Sequence, residues 1–252
     1  SKIKWNDSNV DVVIESTGVF LTKDTANKHI QAGAKKVLLS APPKDNIPMF
    51  VYGVNHQIYD ESMKIISNAS CTTNCLAPLA KLLNDNYVIE SGVMTTVHSA
   101  TATQNVVDSS SAKNLRIARS VFNNIIPSTT GAAKAVGKII PELDGCLTGM
   151  AFRVPTNNVS VVDFSVNLKT PASLKEISEI VFNASNSHMK GVIGLSNDEL
   201  VSSDYNGDTR TCILDKNACI RINDTFFKLV CWYDNEVGYS HKLIELSKLM
   251  FE

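Results

Sequence analysis

The sequence predicts an α/β plus α+β protein: the C-terminal part of a doubly wound, Rossmann-like parallel sheet, followed by a second domain with a mostly antiparallel sheet. Three observations carry this expectation. Short, nearly continuous apolar runs near the N-terminus enclose a helical pattern, as buried parallel strands do. From about residue 93 on, strand-like segments follow one another with few helices between them, which favours antiparallel pairing. Of 252 residues, 44% are hydrophobic and 19% charged, an ordinary globular composition on a chain long enough to bury a core.

The first apolar run is Val10, Val12, Val13 and Ile14, ending in Ser16-Thr17-Gly18. A helix is expected from Thr22 to Ala32, with Thr22 as N-cap and Gly33 as the stop. A second strand, Val37–Ser40, is broken by Ala41-Pro42-Pro43, and a third covers Lys64–Ser67. In such sheets ligands bind beyond the carboxyl ends of the strands, where 16–18, 40–42 and 68–71 fall. A helix is expected to start near Cys71, with Leu76, Leu79, Ala80 and Leu83 on one face. Beyond it, Val93–His98, Leu147–Val154, Asn158–Leu168 and Phe226–Trp232 read as strands. Ser173 and Glu176 form a capping box ahead of Leu174, Ile177 and Val181, and Tyr239–Met250 is expected to be a docked amphipathic helix. The resulting division is 1–70, a partial dinucleotide-binding domain; 71–234, a catalytic domain; and 235–252, a helix packing back on the first.

A formal net charge of −1 offers no basic field for nucleic acid, and no apolar run reaches the length of a membrane span. The first residues lack the apolar stretch of a signal peptide, so a cytoplasmic protein with reduced thiols is expected. The six cysteines are 71, 75, 146, 212, 219 and 231. Cys71 and Cys75 are spaced C-x-x-x-C, unlike a thioredoxin motif, and no His/Cys spacing resembles a zinc site, so no metal is expected.

A cysteine at a helix start lies near unpaired N–H groups and the positive end of the helix dipole. Both favour thiolate at Cys71, and the amides could hold an oxyanion; the alternative is a buried structural thiol. His98, at a strand end, suits a general base or a satisfied structural histidine. Arg153, within an apolar strand, is costly unless it is paired or reaches a cleft, and its planar fork suits phosphate. Arg116 and Arg119 fit a phosphate site or a solvated charged face. Thr130 and Gly131, ahead of an expected helix, fit an anion site or an ordinary N-cap.

Together these stretches resemble the glyceraldehyde-3-phosphate dehydrogenase family. The residues that carry the resemblance are Ala69-Ser-Cys-Thr-Thr-Asn-Cys-Leu-Ala-Pro78, Thr95-Thr-Val-His98, Thr129-Thr-Gly-Ala-Ala-Lys-Ala-Val136, Thr148-Gly-Met-Ala-Phe-Arg-Val-Pro155 and Trp232-Tyr-Asp-Asn-Glu-Val-Gly-Tyr239. The resemblance implies oxidative phosphorylation of an aldehyde, with Cys71 as nucleophile, His98 as base, NAD as hydride acceptor, and a small-molecule substrate and inorganic phosphate as partners. It implies that Thr101 and Arg153 bind the substrate's phosphate, and that Ser70, Thr72, Thr130 and Gly131 bind the attacking one; Arg116 and Arg119 are expected among the substrate-binding residues. Thr17, Gly18, Ser40, Asn235 and Tyr239 would contact the cofactor, and the assembly would be a homotetramer.

Three departures stand beside the resemblance. No Gly-x-Gly-x-x-Gly turn and no acidic ribose ligand occur, so the expectation is a chain without the N-terminal part of the cofactor domain. Ser110 stands where many NAD-specific members have proline, which leaves NADP open. Ile117 stands where some members carry a further arginine. The competing readings are a binding or scaffold role and an erythrose-4-phosphate dehydrogenase.

Overall fold

The computed structural model describes residues 3–110 and 114–251. Strands β1 (Val12–Glu15), β2 (Lys36–Leu39) and β3 (Ile65–Ser67) form a three-stranded parallel sheet in the order β1-β2-β3. Between β1 and β2 runs α1 (Lys23–Gln31), opened by Thr22, whose hydroxyl accepts from Thr25 N–H in a capping box. The central run is apolar throughout because both faces are covered. Val37 and Leu39 pack with Leu21, Ala26 and Ile47 on the α1 side, and Leu38 packs with Phe50, Ile66 and the C-terminal helix. Gly33, at φ +106°, stops α1 where any Cβ would lie 2.6 Å from the Asn6 nitrogen.

The second sheet follows α2 (Cys71–Tyr87). Its strands are β4 (Ile89–His98), β5 (Ile126–Thr129), β6 (Leu147–Arg153), β7 (Ser160–Leu168), β8 (Ile193–Ser196), β9 (Cys212–Asp215), β10 (Ile220–Arg221) and β11 (Phe226–Tyr233). They run in the order β5-β6-β4-β7-β11-β9-β8, with β10 paired to β11. Helices α3 (Ala132–Ile139) and α4 (Leu174–Ser185) pack with α2 on one face, burying Leu79, Leu83, Met94, Val136, Phe164, Val181 and Leu229 in one core. The strand period of two explains β7, where Ser160, Val162, Phe164, Val166 and Leu168 point into that core and their neighbours do not.

Most pairings are antiparallel, namely β5–β6, β4–β7, β7–β11, β9–β11 and β10–β11. The expectation that the strands at 93–98 and 147–154 pair antiparallel with their neighbours needs one correction: β4 and β6 are parallel. Parallel neighbours need a crossover, and α3 supplies it. The pair β8–β9 is also parallel.

The last helix, α5 (Val237–Phe251), starts two residues before the expected Tyr239, because Asp234 Oδ1 accepts from the N–H groups of Glu236 and Val237 at 2.9 and 2.8 Å. Its Leu243, Leu246 and Met250 pack against Leu38, Phe50 and Ile66 of the small sheet. Among the described residues, no helix is long and apolar enough to cross a membrane.

Candidate active site

Two junctions meet at the site. The chain leaves β3 through Asn68 and Ala69 and enters α2 at Cys71. Ala69 is fully buried in the left-handed region, φ +55°, which costs a non-glycine residue about 1 kcal/mol. The turn is over-determined: Ser67 Oγ accepts from Ala69 N–H at 3.0 Å, Tyr239 Oη donates to Ala69 O at 3.1 Å, and Asn74 Nδ2 donates to Asn68 O at 2.8 Å. Ser70 caps α2, its Oγ accepting from Thr73 N–H at 3.1 Å. The second junction is the end of β4 and β6, where His98 and Arg153 are register partners.

These junctions place Cys71 Sγ 3.4 Å from His98 Nε2. The other ring nitrogen, Nδ1, lies 2.9 Å from Ser99 O and 2.6 Å from Arg153 Nη1, and Nη1 also donates to Ser99 O at 3.3 Å. The imidazole is almost wholly buried, and the ring of Tyr233 meets it edge-on at 5.9 Å. Burial and the Arg153 charge together hold His98 down at about 4, so it is neutral at neutral pH.

Cys71 corrects an expectation. Its place at the first turn of α2 was expected to favour thiolate, but burial pushes the thiol up. The hydroxyl and N–H of Thr72 and the Arg153 guanidinium pull it back only in part. Burial therefore opposes the thiolate that the helix start was expected to favour.

Asn235 is fixed by groups that sequence patterns do not show. Ser99 Oγ and Ser160 Oγ donate to its Oδ1 at 2.8 and 2.7 Å, and its Nδ2 donates to Glu236 at 3.2 Å. The amide orientation is thus set, with the NH2 group as its remaining donor. Tyr233 Oη lies 2.9 Å from both Thr72 Oγ1 and Thr96 Oγ1.

The remaining expected residues sit at different distances from this centre. Thr101 follows β4, and its hydroxyl and N–H both donate to Gln104 Oε1 at 2.8 Å. Gly131 is exposed at the N-cap of α3, and Thr130 Oγ1 accepts from Ala132 N–H at 3.2 Å. Arg116 and Arg119 lie in the exposed β4–β5 connection, where Arg119 Nε pairs with Asp108 at 3.0 Å. No contact among the described residues joins either arginine to Cys71 or His98; Ser111 and Lys113 of that connection lie outside the described residues.

Thr17 and Gly18 follow β1, and Ser40 follows β2, at the carboxyl ends of the parallel strands. Thr17 N–H and its hydroxyl both donate to Glu15 Oε1, and Glu15 Oε2 is 2.8 Å from His29 Nε2. Trp5 Nε1 donates to His29 Nδ1 at 3.2 Å. Among the described residues, no cluster of three or more His, Cys, Asp or Glu side chains could hold a metal ion.

A sequence model described as "Glyceraldehyde 3-phosphate dehydrogenase, C-terminal domain" matches residues 70–235. The "Glyceraldehyde-3-phosphate dehydrogenase, cytosolic" of Leishmania mexicana is 58% identical over 246 residues, 98% of this chain and 74% of its own length. The glyceraldehyde-3-phosphate dehydrogenase of Bacteroides fragilis is 57% identical over 250 residues, 99% of this chain and 75% of its own. That of Danio rerio is 57% identical over 246 residues, 98% and 74%. With its nucleophile and base in contact and this similarity along nearly all of its length, the chain belongs to the glyceraldehyde-3-phosphate dehydrogenase family.

Proposed function

We propose that the chain performs the oxidative phosphorylation of D-glyceraldehyde 3-phosphate to 1,3-bisphosphoglycerate, a step of glycolysis, using NAD. The observation that carries the reading is the 3.4 Å contact of Cys71 with a neutral, buried His98 at the start of a helix. Cys71 attacks the aldehyde carbon while Nε2 of His98 takes the thiol proton, giving a hemithioacetal. The first N–H groups of α2 are assigned to the oxygen on which charge develops. A bound nicotinamide supplies the hydride acceptor that turns the hemithioacetal into a thioester. Inorganic phosphate then attacks the thioester carbonyl, Cys71 leaves as thiolate, and the acyl phosphate is released.

Asn235 fits the cofactor, because its oriented NH2 donor suits a carboxamide carbonyl. Thr17, Gly18, Ser40 and Tyr239 would complete that contact, Tyr239 chiefly by holding the Ala69 turn. Arg153 and Thr101 are assigned to the substrate phosphate. The buried Nε of Arg153 has no hydrogen-bond partner, a donor that an anion would satisfy. Ser70, Thr72, Thr130 and Gly131 are assigned to the attacking phosphate, and Arg116 and Arg119 to substrate binding. NADP use remains tied to Ser110.

The same reading makes 1–70 the cofactor unit, 71–234 the catalytic unit and 235–252 a helix returning to the first. The packing of Leu243, Leu246 and Met250 on the small sheet supports it. The outer face of the large sheet exposes Val93, Val97, Met150 and Phe226, a face suited to contact between copies in the proposed homotetramer; a cytoplasmic location is part of the same proposal. A scaffold role and an erythrose-4-phosphate activity are not favoured by relatives that share one name.

Incubation with the aldehyde and NAD, without phosphate, should leave an acyl group on the Cys71 peptide in mass spectrometry, released when phosphate is added. An adduct on another cysteine, or none on Cys71 while NADH forms, would overturn the reading.

A further inference from the structure

Three of the six cysteines lie together in the core beneath the site. Cys75, Cys212 and Cys231 are each at most 1% exposed and belong to the one hydrophobic cluster of the large sheet. Cys75 comes from α2, Cys212 opens β9 and Cys231 lies in β11. Helix α2 packs on both strands, and Cys75 Sγ points at the sheet, 4.0 Å from Cys231 O. The Cys212 thiol interacts with those of Cys231 and Cys75. Among the described residues no cluster could hold a metal ion, and the chemistry assigned to Cys71 and His98 leaves all three thiols unused.

Their order in space gives them a use. Cys71 and Cys75 are spaced i, i+4 on α2, one turn apart on the same face, where Cβ atoms are about 5–6 Å apart. Cys71 stands at the site end of that face and Cys75 at the core end. Cys75 interacts with Cys212 and Cys231 on one side and with Cys71 on the other. Between the two strand cysteines the register is less favourable. Cys231 pairs with Leu214, so Cys212, two residues before Leu214, is its diagonal neighbour. Diagonal neighbours stand about 7 Å apart, beyond the roughly 4 Å at which two Cβ atoms are bridged by a disulfide. Cys75 is therefore the better partner for Cys212.

We infer that the buried thiols relieve Cys71 of oxidation: a disulfide formed between Cys71 and Cys75 is passed to Cys212, which ends bridged to Cys75 while Cys71 returns to the thiol. The oxidant is a peroxide. The Cys71 sulfur attacks its O–O bond, giving a sulfenic acid and releasing water or an alcohol. Cys75 attacks the sulfenic sulfur, an S–S bond forms, and water leaves with the Cys75 proton. Cys212 then attacks the Cys75 sulfur, the Cys71–Cys75 bond breaks, and the Cys212 proton ends on Cys71. The peroxide gains two electrons, supplied by the thiols of Cys75 and Cys212, and Cys71 is unchanged across the sequence. The inference rests on the reading of Cys71 as the reactive thiol and adds a second activity to it.

The direction of the exchange follows from the surroundings. A disulfide opens toward the sulfur that leaves as the weaker base. Burial raises Cys75 further than it raises Cys71, so attack on the Cys75 sulfur expels the better leaving group. Hydrogen bonds from Cys231 and Cys75 lower Cys212, which makes it the attacking thiol of the three.

The test is disulfide mapping. The reduced protein is treated with equimolar hydrogen peroxide, quenched with N-ethylmaleimide in denaturant and digested with trypsin without reductant. Wild type should give the peptide 65–81, alkylated at Cys71, joined through Cys75 to the peptide 211–216, and should keep most of its turnover. Cys212→Val, with Cys212→Ala as a second variant, should turn over normally before peroxide. Afterwards both should hold the Cys71–Cys75 bridge and turn over at least about tenfold more slowly than treated wild type. A wild type in which Cys71 stays bridged to Cys75 or advances to the sulfinic acid, or variants that keep as much turnover as wild type, would overturn the relay alone. Peroxide that oxidises another thiol and never Cys71 would remove Cys71 as the reactive thiol and the relay with it.

Discussion

Cys71 and Cys75 lie one turn apart on α2, and the fold treats them in opposite ways. Cys75 is sealed among Cys212, Cys231 and apolar side chains, its Sγ 4.0 Å from Cys231 O. Burial, together with the neighbouring Cys212 thiol, pushes Cys75 well above the ordinary thiol range. Burial also pushes Cys71 up, yet His98 Nε2 stands 3.4 Å away, and Thr72 and Arg153 favour its anion. The difference teaches that a helix N-terminus alone does not make a nucleophile here. A proton acceptor at contact distance does.

The comparison breaks most visibly on direct substitution. Cys71→Ser should lower turnover at least about 10⁴-fold, because the hydroxyl is a far poorer nucleophile. Cys75→Ser should keep turnover near wild type and lower stability by about 1–3 kcal/mol through its buried hydroxyl. Steady-state kinetics and urea melts on the two variants separate these outcomes. Equal kinetic damage in both would mean that the two thiols share one role.

Removing the acceptor is the next test. His98→Gln should cost about 10²–10⁴ in turnover and move Cys71 alkylation toward alkaline pH, with Cys75 labelling unchanged. A smaller effect is expected from Gly149→Ala. A Cβ there would lie 2.6 Å from Met94 O and force β6 from β4, the strands that carry Arg153 and His98. Up to about a hundredfold loss of turnover should follow from the misplaced base.

The smallest effect concerns pH and stability. His98 is depressed from 6.5 to about 4 in the folded chain, so between those values the unfolded chain binds more protons. The stabilisation from burying it neutral is present above about pH 6.5 and is lost as pH falls toward 4, amounting to roughly 3 kcal/mol. Denaturant melts across that window should show a steeper acid loss in wild type than in His98→Gln. Parallel curves would contradict the assigned depression.

Much of this was readable in the chain. The continuous run at 37–39 and the Thr22 cap are local signals, and the structure keeps both. Strands β8 and β9 were not read, nor was β5, which Pro127 interrupts; β5 lies at the sheet edge, where proline is tolerated. The parallel β4–β6 pair was missed because α3 was read as an anion site and not also as a crossover. At the site, residue types left Cys71 and His98 open between catalytic and structural roles; the family resemblance paired them, and the structure brings them to 3.4 Å. The serines that hold Asn235 were not, since Ser99 and Ser160 stand 136 and 75 residues from it in sequence. Nor was the strained Ala69 turn, which depends on Tyr239, 170 residues away.

The central claim, that contact with His98 sets Cys71 apart from its neighbour and from every other thiol, is tested most directly by residue-resolved alkylation. Native chain is treated with limiting iodoacetamide near neutral pH, quenched over time and mapped by mass spectrometry. Cys71 should label first, and Cys75, Cys212 and Cys231 only when the fold is opened. In His98→Gln the lead of Cys71 over the partly exposed Cys146 should vanish. Labelling of Cys75 or Cys146 as fast as Cys71 in the wild type, or an undiminished lead in His98→Gln, would contradict it.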